Sequence, residues 1–178
     1  MPLLPPTANF GPKPGHGTVI AQPMIAGCAP TAIAIARPEG STYKVVERIA
    51  PAGSRTGGRA VASLPPGTYH ITGASCIDSR TSTTQRVYAP YPKVMFHLTE
   101  PAEFTGSLAT FTVADGEIVD IGGLWFDRPS ATSDQGSVMM IAGDASTLGE
   151  LVKERPELAG RVVQRAAVAI PRTDLPKS

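Results

Sequence analysis

The two cysteines and three histidines of this chain of 178 residues, Cys28, Cys76, His16, His70 and His97, are its thiol and imidazole groups, the side chains best suited to bind a transition metal or to act as nucleophile or base near neutral pH. Two thiols can close one disulfide and cannot by themselves complete a tetrahedral zinc site. His70 and Cys76 lie an even number of positions apart. On an uninterrupted strand they would share a face and could seed a metal site, although two unrelated side chains on one strand face is the simpler reading. A Cys28–Cys76 disulfide would tie together two predicted strands distant in sequence and restrict the unfolded chain. It would also imply an oxidising compartment. The alternative is a pair of inert buried thiols, since free cysteine is commonly a core residue.

Catalysis needs a nucleophile with its base, paired carboxylates or a metal. The sequence has no Gly-x-Ser-x-Gly elbow, no His-Glu-x-x-His and no phosphate-cradling loop, since Gly57-Gly58 lacks the lysine that must follow. Asp115, Glu117 and Asp120 cluster at a turn and could hold calcium weakly, but their spacing is not that of a calcium-binding helix–loop–helix. A solvated turn accounts for them, and Asp127 is a carboxylate at a strand end. The sequence therefore predicts no catalytic, cofactor-binding or metal-ligating residue and no cofactor. An enzyme is the minority reading and would need a site assembled from distant strands. The formal charge of +1 gives no electrostatic case for nucleic acid.

Contact is the better supported mode of action. Between Asp78 and Lys93 the chain gathers Arg80, Arg86, Tyr88, Tyr91 and Lys93 among serines and threonines. Tyrosine and arginine are enriched at binding hot spots, and the Tyr88-Ala89-Pro90-Tyr91-Pro92 run is stiff enough to dock at little entropic cost. Arg86, Tyr88, Tyr91 and Lys93 are thus the candidate partner-contact residues. The competing reading is an edge strand whose tyrosines cover the core and whose prolines block edge pairing. Trp125, the single tryptophan, reads as a packing residue or as a stacking platform.

The elements that must position these groups are mostly strands. Glycine and proline contribute 18 residues each, only 17% of the chain is charged and 42% is hydrophobic. That balance excludes a charge-rich disordered chain, and no apolar run reaches the roughly 20 residues of a membrane helix. Residues 1–16 carry five prolines and read as an extended arm, flexible unless it docks. Residues 17–170 read as one domain. Strands are predicted over Thr31–Arg37, Tyr43–Ile49, Arg59–Leu64, Thr68 onward to Ile77, Lys93–Leu98, Thr110–Val113, Glu117–Ile121, Leu124–Phe126 and Ser137–Ile141. On the strand from Thr68, Tyr69, Ile71 and Ile77 form the expected core face, opposite His70, Thr72 and Cys76. Asp115-Gly116 predicts a hairpin, and Gly122-Gly123 a bulge or bend. A helical segment over about 145–163 is capped by Asp144 or Ser146 and restarted by Pro156. Residues from Arg161 to Ile170 suit either a helix or a closing strand, and 171–178 form a tail. The fold class is mainly β: an antiparallel β-sandwich with a short C-terminal helical segment.

Leu64-Pro65-Pro66-Gly67-Thr68-Tyr69 and the alternating residues after it resemble the strand–turn–strand signature of carboxypeptidase-regulatory-like and transthyretin-like β-sandwiches. The run from Phe111 to Gly122 is similar to a hairpin of uncharacterised bacterial envelope proteins, some of them lipoproteins. The resemblance implies a sandwich that serves as an accessory module without catalysis, in the periplasm or in the cell envelope or extracellular space, a cytoplasmic location staying open. Ile25-Ala26-Gly27-Cys28 reads like a lipobox, but Gln22 and Pro23 break the apolar stretch before it and Lys13 is the one basic residue ahead of it, which argues against a lipid anchor at Cys28. The expected function is a non-catalytic accessory or structural subunit acting on a protein partner or a second copy. A small-ligand or glycan-binding module is the alternative, and an enzyme comes last.

Overall fold

Short runs of β-branched and small residues between glycine and proline turns leave the backbone few options besides strands. The computed structural model describes residues 2–11, 13–52, 58–92, 100–128 and 133–171. Among them are β1 (Gly17–Ile25), β2 (Cys28–Glu39), β3 (Thr42–Ile49), β4 (Ala60–Leu64), β5 (Gly67–Asp78) and β6 (Thr84–Tyr88). They are followed by β7 (Glu103–Phe104), β8 (Ala109–Val113), β9 (Ile118–Asp127) and β10 (Ser137–Ile141). One helix, α1 (Ala145–Glu154), and a 3₁₀ turn at Pro156–Leu158 precede β11 (Val162–Gln164) and β12 (Val168–Ala169). The chain is mainly β with a short C-terminal helix. The predicted strand over Lys93–Leu98, with His97, lies outside the described residues.

Pairing sorts the strands into two layers. In one, β4 and β9 flank β1, and β10 and β11 share the far edge of β9. In the other, β3 and β5 flank β2, β6 and β8 share the far edge of β5, β7 extends β3 and β12 extends β8. The layers join where Ile25 pairs with Cys28 across a turn at Gly27, whose φ of 67° suits glycine. Their facing sides share one core that includes Val19, Val119, Ile121, Ile33, Tyr69 and Phe111. Most ladders are antiparallel, but β1–β9 and β11–β9 are parallel.

Two expectations from the sequence are corrected by how the chain crosses between layers. The turn at Asp115-Gly116 forms, with Glu117 N–H donating to Ala114 O. Yet β8 pairs with β5 while β9 pairs with β1, so the turn is a corner between layers and not a hairpin. The reason is that β1 takes the edge of β9 that a hairpin partner would need, and the Thr18 amide takes Glu117 O. The faces of β5 also differ from expectation. The register against β2 slips between Ile71 and Gly73, a bulge at Thr72. Beyond it the core side passes to Ala74 and Cys76, and Ile77 is exposed. The bulge also removes the shared face of His70 and Cys76. Cys76 turns inward to Cys28, and the two are joined in a disulfide linking β5 to β2, with Cα atoms 5.5 Å apart.

The outer face of the β4–β1–β9 layer carries Ile20, Ile118 and, at its rim, Val61 and Val162. The predicted arm docks here. Leu4 and Phe10 are buried against Ile20 and Ile118 together with Leu151 of α1 and Leu158 of the 3₁₀ turn. Its backbone is pinned too. The Glu154 carboxylate accepts from the amides of Leu3 (2.7 Å) and Leu4 (2.9 Å). Arg161 donates to Phe10 O at 2.9 Å, and the Arg155 guanidinium sits 5.0 Å from the centre of the Phe10 ring. The helix starts at Asp144, whose Oδ1 accepts from the Thr147 amide at 2.8 Å, and ends before Pro156, which lacks the amide a continuing helix requires. Past it, Arg161 to Ile170 forms two short strands.

Phe10→Ala removes a buried ring from a junction of three elements and should lower unfolding free energy by about 3–5 kcal/mol in urea titration. A change below a few tenths would show that the arm does not contribute to the fold. Replacing both Cys28 and Cys76 by alanine should cost about 2–4 kcal/mol. Thiol labelling of the unfolded native protein should find no free thiol unless a reductant is added.

Candidate functional site

The outer face of the β4–β1–β9 layer is covered over only part of its length. Beyond the patch under the arm and α1, alternation along β1 brings Gln22 and Met24 to this face, and along β10 it brings Met139 and Ile141. On β9 the bulge at Gly122, with φ of 87°, resets the alternation so that Trp125 points out while Leu124 and Phe126 point into the core. Trp125 pairs with Met139 on one side and Met24 on the other. Met139 is 60% exposed, Ile141 43% and Trp125 36%. These make a contiguous apolar ridge that none of the described residues covers, the kind of feature that marks an interaction surface.

Between the ridge and the covered patch lies a cavity of about 120 Å³, lined by Gln22, Met24, Arg59, Asp120, Ile141 and Thr147 together with Gly122, Gly123 and Gly143. Its two charged side chains are almost wholly buried, Arg59 at 3% exposure and Asp120 at 4%. The Gly122 amide donates to Asp120 Oδ1 at 2.9 Å, and Arg59 Nη2 lies 3.6 Å from the solvent-facing Glu150 of α1. The remaining atoms, Arg59 Nη1 and Asp120 Oδ2, have no hydrogen-bond partner among the described residues, and no ion pair joins the two side chains. A buried polar group without a partner is costly. Glycine leaves room beside the carboxylate: a Cβ at Gly143 would lie 2.7 Å from Gln164 Nε2 and 3.0 Å from Asp120 Oδ2, while one at Gly122 would strike the Ile141 backbone oxygen at 2.4 Å.

The residues singled out from the sequence fall elsewhere. Tyr88 is 5% exposed and packs edge-on against Tyr91 and Phe104, with ring centres 5.7 Å apart in each case. Desolvation is the main cause that lifts its hydroxyl well above the usual tyrosine range. The Tyr88 ring is part of the main core. Tyr91 is half-buried and donates to Asp134 at 2.6 Å, a bond that leads in pushing its pKa up to about 12. Arg86 lies 3.8 Å from Glu100, which also holds Arg48. Lys93 is outside the described residues. The three carboxylates at the Asp115 turn do not converge. Glu117 takes both nitrogens of Arg165 at 2.8 Å, while Asp120 turns into the cavity. No group of three or more His, Cys, Asp or Glu side chains able to hold a metal occurs among the described residues.

Arg59 was not singled out from the sequence, and Asp120 only as one of three turn carboxylates that a solvated turn accounts for. The available signal was a charge inside an apolar strand run, Ile118-Val119-Asp120-Ile121, next to paired glycines. Arg59 had only the glycine pair before it.

The histidines bear on the catalytic alternative. His70 Nδ1 is 2.9 Å from Ser107 Oγ, and its ring centre is 4.5 Å from that of Tyr43. The Ser107 hydroxyl has one proton, donated to Ala109 O at 2.9 Å. Nδ1 is therefore the donor to Ser107, the reverse of the polarity a general base requires. His16 Nδ1 faces Pro14 O at 3.3 Å.

No protein-family model and no curated protein matches the chain. A crystal structure of a leucine-rich repeat protein from Bacteroides thetaiotaomicron VPI-5482 aligns with 70% of this chain, which spans 14% of that protein, at 10% identity and a TM-score of 0.36. A likeness at that score carries no argument.

Desolvation holds the His70 imidazole below the ordinary histidine pKa of about 6.5. A depressed folded-state pKa means that the unfolded chain binds the proton more readily, so stability falls as pH drops through the unfolded value toward the folded one. Urea midpoints should thus decline below about pH 6.5, and His70→Phe should flatten that slope. An unchanged slope in the variant would assign it to other groups.

Proposed function

We propose that this protein is a non-catalytic accessory module that works by protein–protein contact through the uncovered end of its β1–β9–β10 face. The observation that carries the reading is the Trp125–Met139 pair, flanked by Met24 and Ile141, standing in solvent next to an equivalent apolar patch that the chain does cover. Trp and Met are enriched where protein surfaces meet, and the sheet beneath them is held on its other side by the main core. The ridge would therefore meet a partner already in shape, with little ordering to be done. The disulfide supports placing the contact in an oxidising setting such as a bacterial envelope or extracellular assembly. The turn at Leu64–Tyr69, similar to that of carboxypeptidase-regulatory-like sandwiches, supports an accessory role. The exposure of Trp125 also favours a second reading, in which its indole stacks on a sugar.

A photo-crosslinker placed at Met139 in the native host should give one discrete protein adduct. The same group at Val46, exposed on β3 in the opposite layer, should not. Trp125→Ser should abolish the adduct while leaving the unfolding free energy within about 0.5 kcal/mol of the parent, as expected for a surface change. An identical adduct pattern from both positions would overturn the reading. Loss of binding to an oligosaccharide array on Trp125→Ser, with no protein adduct, would establish the stacking alternative instead.

A further inference from the structure

We infer that the Arg59–Asp120 cavity is the anchor point of that surface and takes a primary carboxamide, the side chain of a glutamine or asparagine projecting from the docked protein. The inference rests on the docking reading above and adds the chemistry that selects the partner.

Size sets the first limit. About 120 Å³ falls well below the roughly 300–1,000 Å³ of sites that engulf a small-molecule ligand. The cavity fits one side-chain terminus, and the exposed Ile141 at its wall continues into the Met139–Trp125 ridge where the rest of a partner would lie. Polarity sets the second. Arg59 Nη1 can only donate and Asp120 Oδ2, as a carboxylate, can only accept. A carboxylate entering the site would satisfy the arginine and be repelled by the aspartate. A guanidinium or ammonium would meet the opposite conflict. A hydroxyl matches both polarities, donating to Asp120 and accepting from Arg59, but it must do so through one oxygen lying within hydrogen-bond reach of both atoms. A primary amide presents an acceptor and two donors on one rigid plane, so its oxygen can meet Arg59 while its NH₂ meets Asp120. Both atoms belong to side chains at least nine-tenths buried, so a ligand that pairs only one leaves the other desolvated and unpaired. That is the circumstance in which hydrogen-bonding sites discriminate most sharply.

The test uses the folded protein and four short peptides, identical but for a central Gln, Glu, Arg or Ala flanked by leucines. Binding is followed through the backbone amide signals of Gly122, Gly123 and Gly143. The Gln peptide should cause saturable shifts at these glycines and bind at least about tenfold more tightly than the other three, one unpaired buried group corresponding to roughly that factor. Asp120→Asn, which can retain the bond from the Gly122 amide, should invert the preference toward Glu. Arg59→Gln should invert it toward Arg, so that either variant suffices if the other does not fold. Equal binding of all four peptides by the parent, unchanged preference in both folded variants, or a crystal structure in which an ordered water holds both atoms and is not displaced by the Gln peptide would overturn the proposal. So would free acetamide binding as tightly as the peptide, since a partner's side chain would then have no advantage. Because the Met139 crosslink is read separately, loss of amide preference with the crosslink intact rejects the anchor alone. Loss of the crosslink rejects the docking surface itself.

Discussion

The structure depends on how one apolar sheet face is kept from water. The β4–β1–β9 layer is apolar on both sides, inward through Val19 and Val119 and outward through Ile20 and Ile118. A sheet with two apolar faces needs two covers. The second layer supplies one. The other is assembled from the two ends of the chain: Leu4 and Phe10 from the N-terminal side, Leu151 and Leu158 from the C-terminal side. This explains why a proline-rich arm with no element of its own is ordered against the domain. It also gives α1, which follows β10 in the chain, a surface to lie on. The Glu154 carboxylate, gripping two arm amides, and Arg161, gripping Phe10 O, hold the two ends of the chain together over the sheet.

That cover is short. It ends at a row of polar groups, Arg59, Glu150, Asp120 and Gln164, the last donating to Asp144 O at the helix cap. Beyond the row the same sheet face is apolar again, and none of the described residues covers it. The position of the candidate site is therefore set by the length of α1 and by the bulge at Gly122. Without the bulge, Trp125 would point into the core, and Leu124 would take its place outside. Local backbone chemistry at one glycine thus decides which large side chain is offered to solvent.

The sequence made the fold legible where the signal was local. Strand runs such as Tyr43–Ile49 and Ser137–Ile141, the capping aspartate before α1, the stop at Pro156 and the bulge glycines all carry their reasons within a few residues. It misled where long-range pairing overrides local pattern. Asp115-Gly116 is a good hairpin turn, but β1 competes for the edge of β9 and sends the two flanking strands into different layers. The Thr72 bulge has no glycine or proline at its centre to announce it, although Gly73 follows, and it inverted the expected faces of Cys76 and Ile77. The tyrosines that looked like contact residues are spent on an aromatic cluster with Phe104. The site residues were hidden for a related reason: what distinguishes Arg59 and Asp120 is burial without a partner, and no residue type or spacing encodes that.

A buried guanidinium and a buried carboxylate on one cavity wall would ordinarily be read as a structural ion pair. The geometry argues otherwise. A pair that served only stability would close on itself, because attraction at contact distance is what offsets the loss of hydration, and even then two well-packed apolar residues often do as well or better. Here no ion pair forms between them, the carboxylate is oriented by the Gly122 amide, and the guanidinium is drawn toward the exposed Glu150. Each is fixed by a partner on its own side, so the gap between them is held open. Glycine at 143 leaves free the space that a Cβ would take beside Asp120 Oδ2. An arrangement in which two opposite charges are separately braced and kept apart costs stability in the isolated protein, and it is recovered when a group with matching polarity enters. That connects the cavity to the ridge beside it: the ridge provides non-specific apolar area, and the braced charges decide which partner gains from covering it.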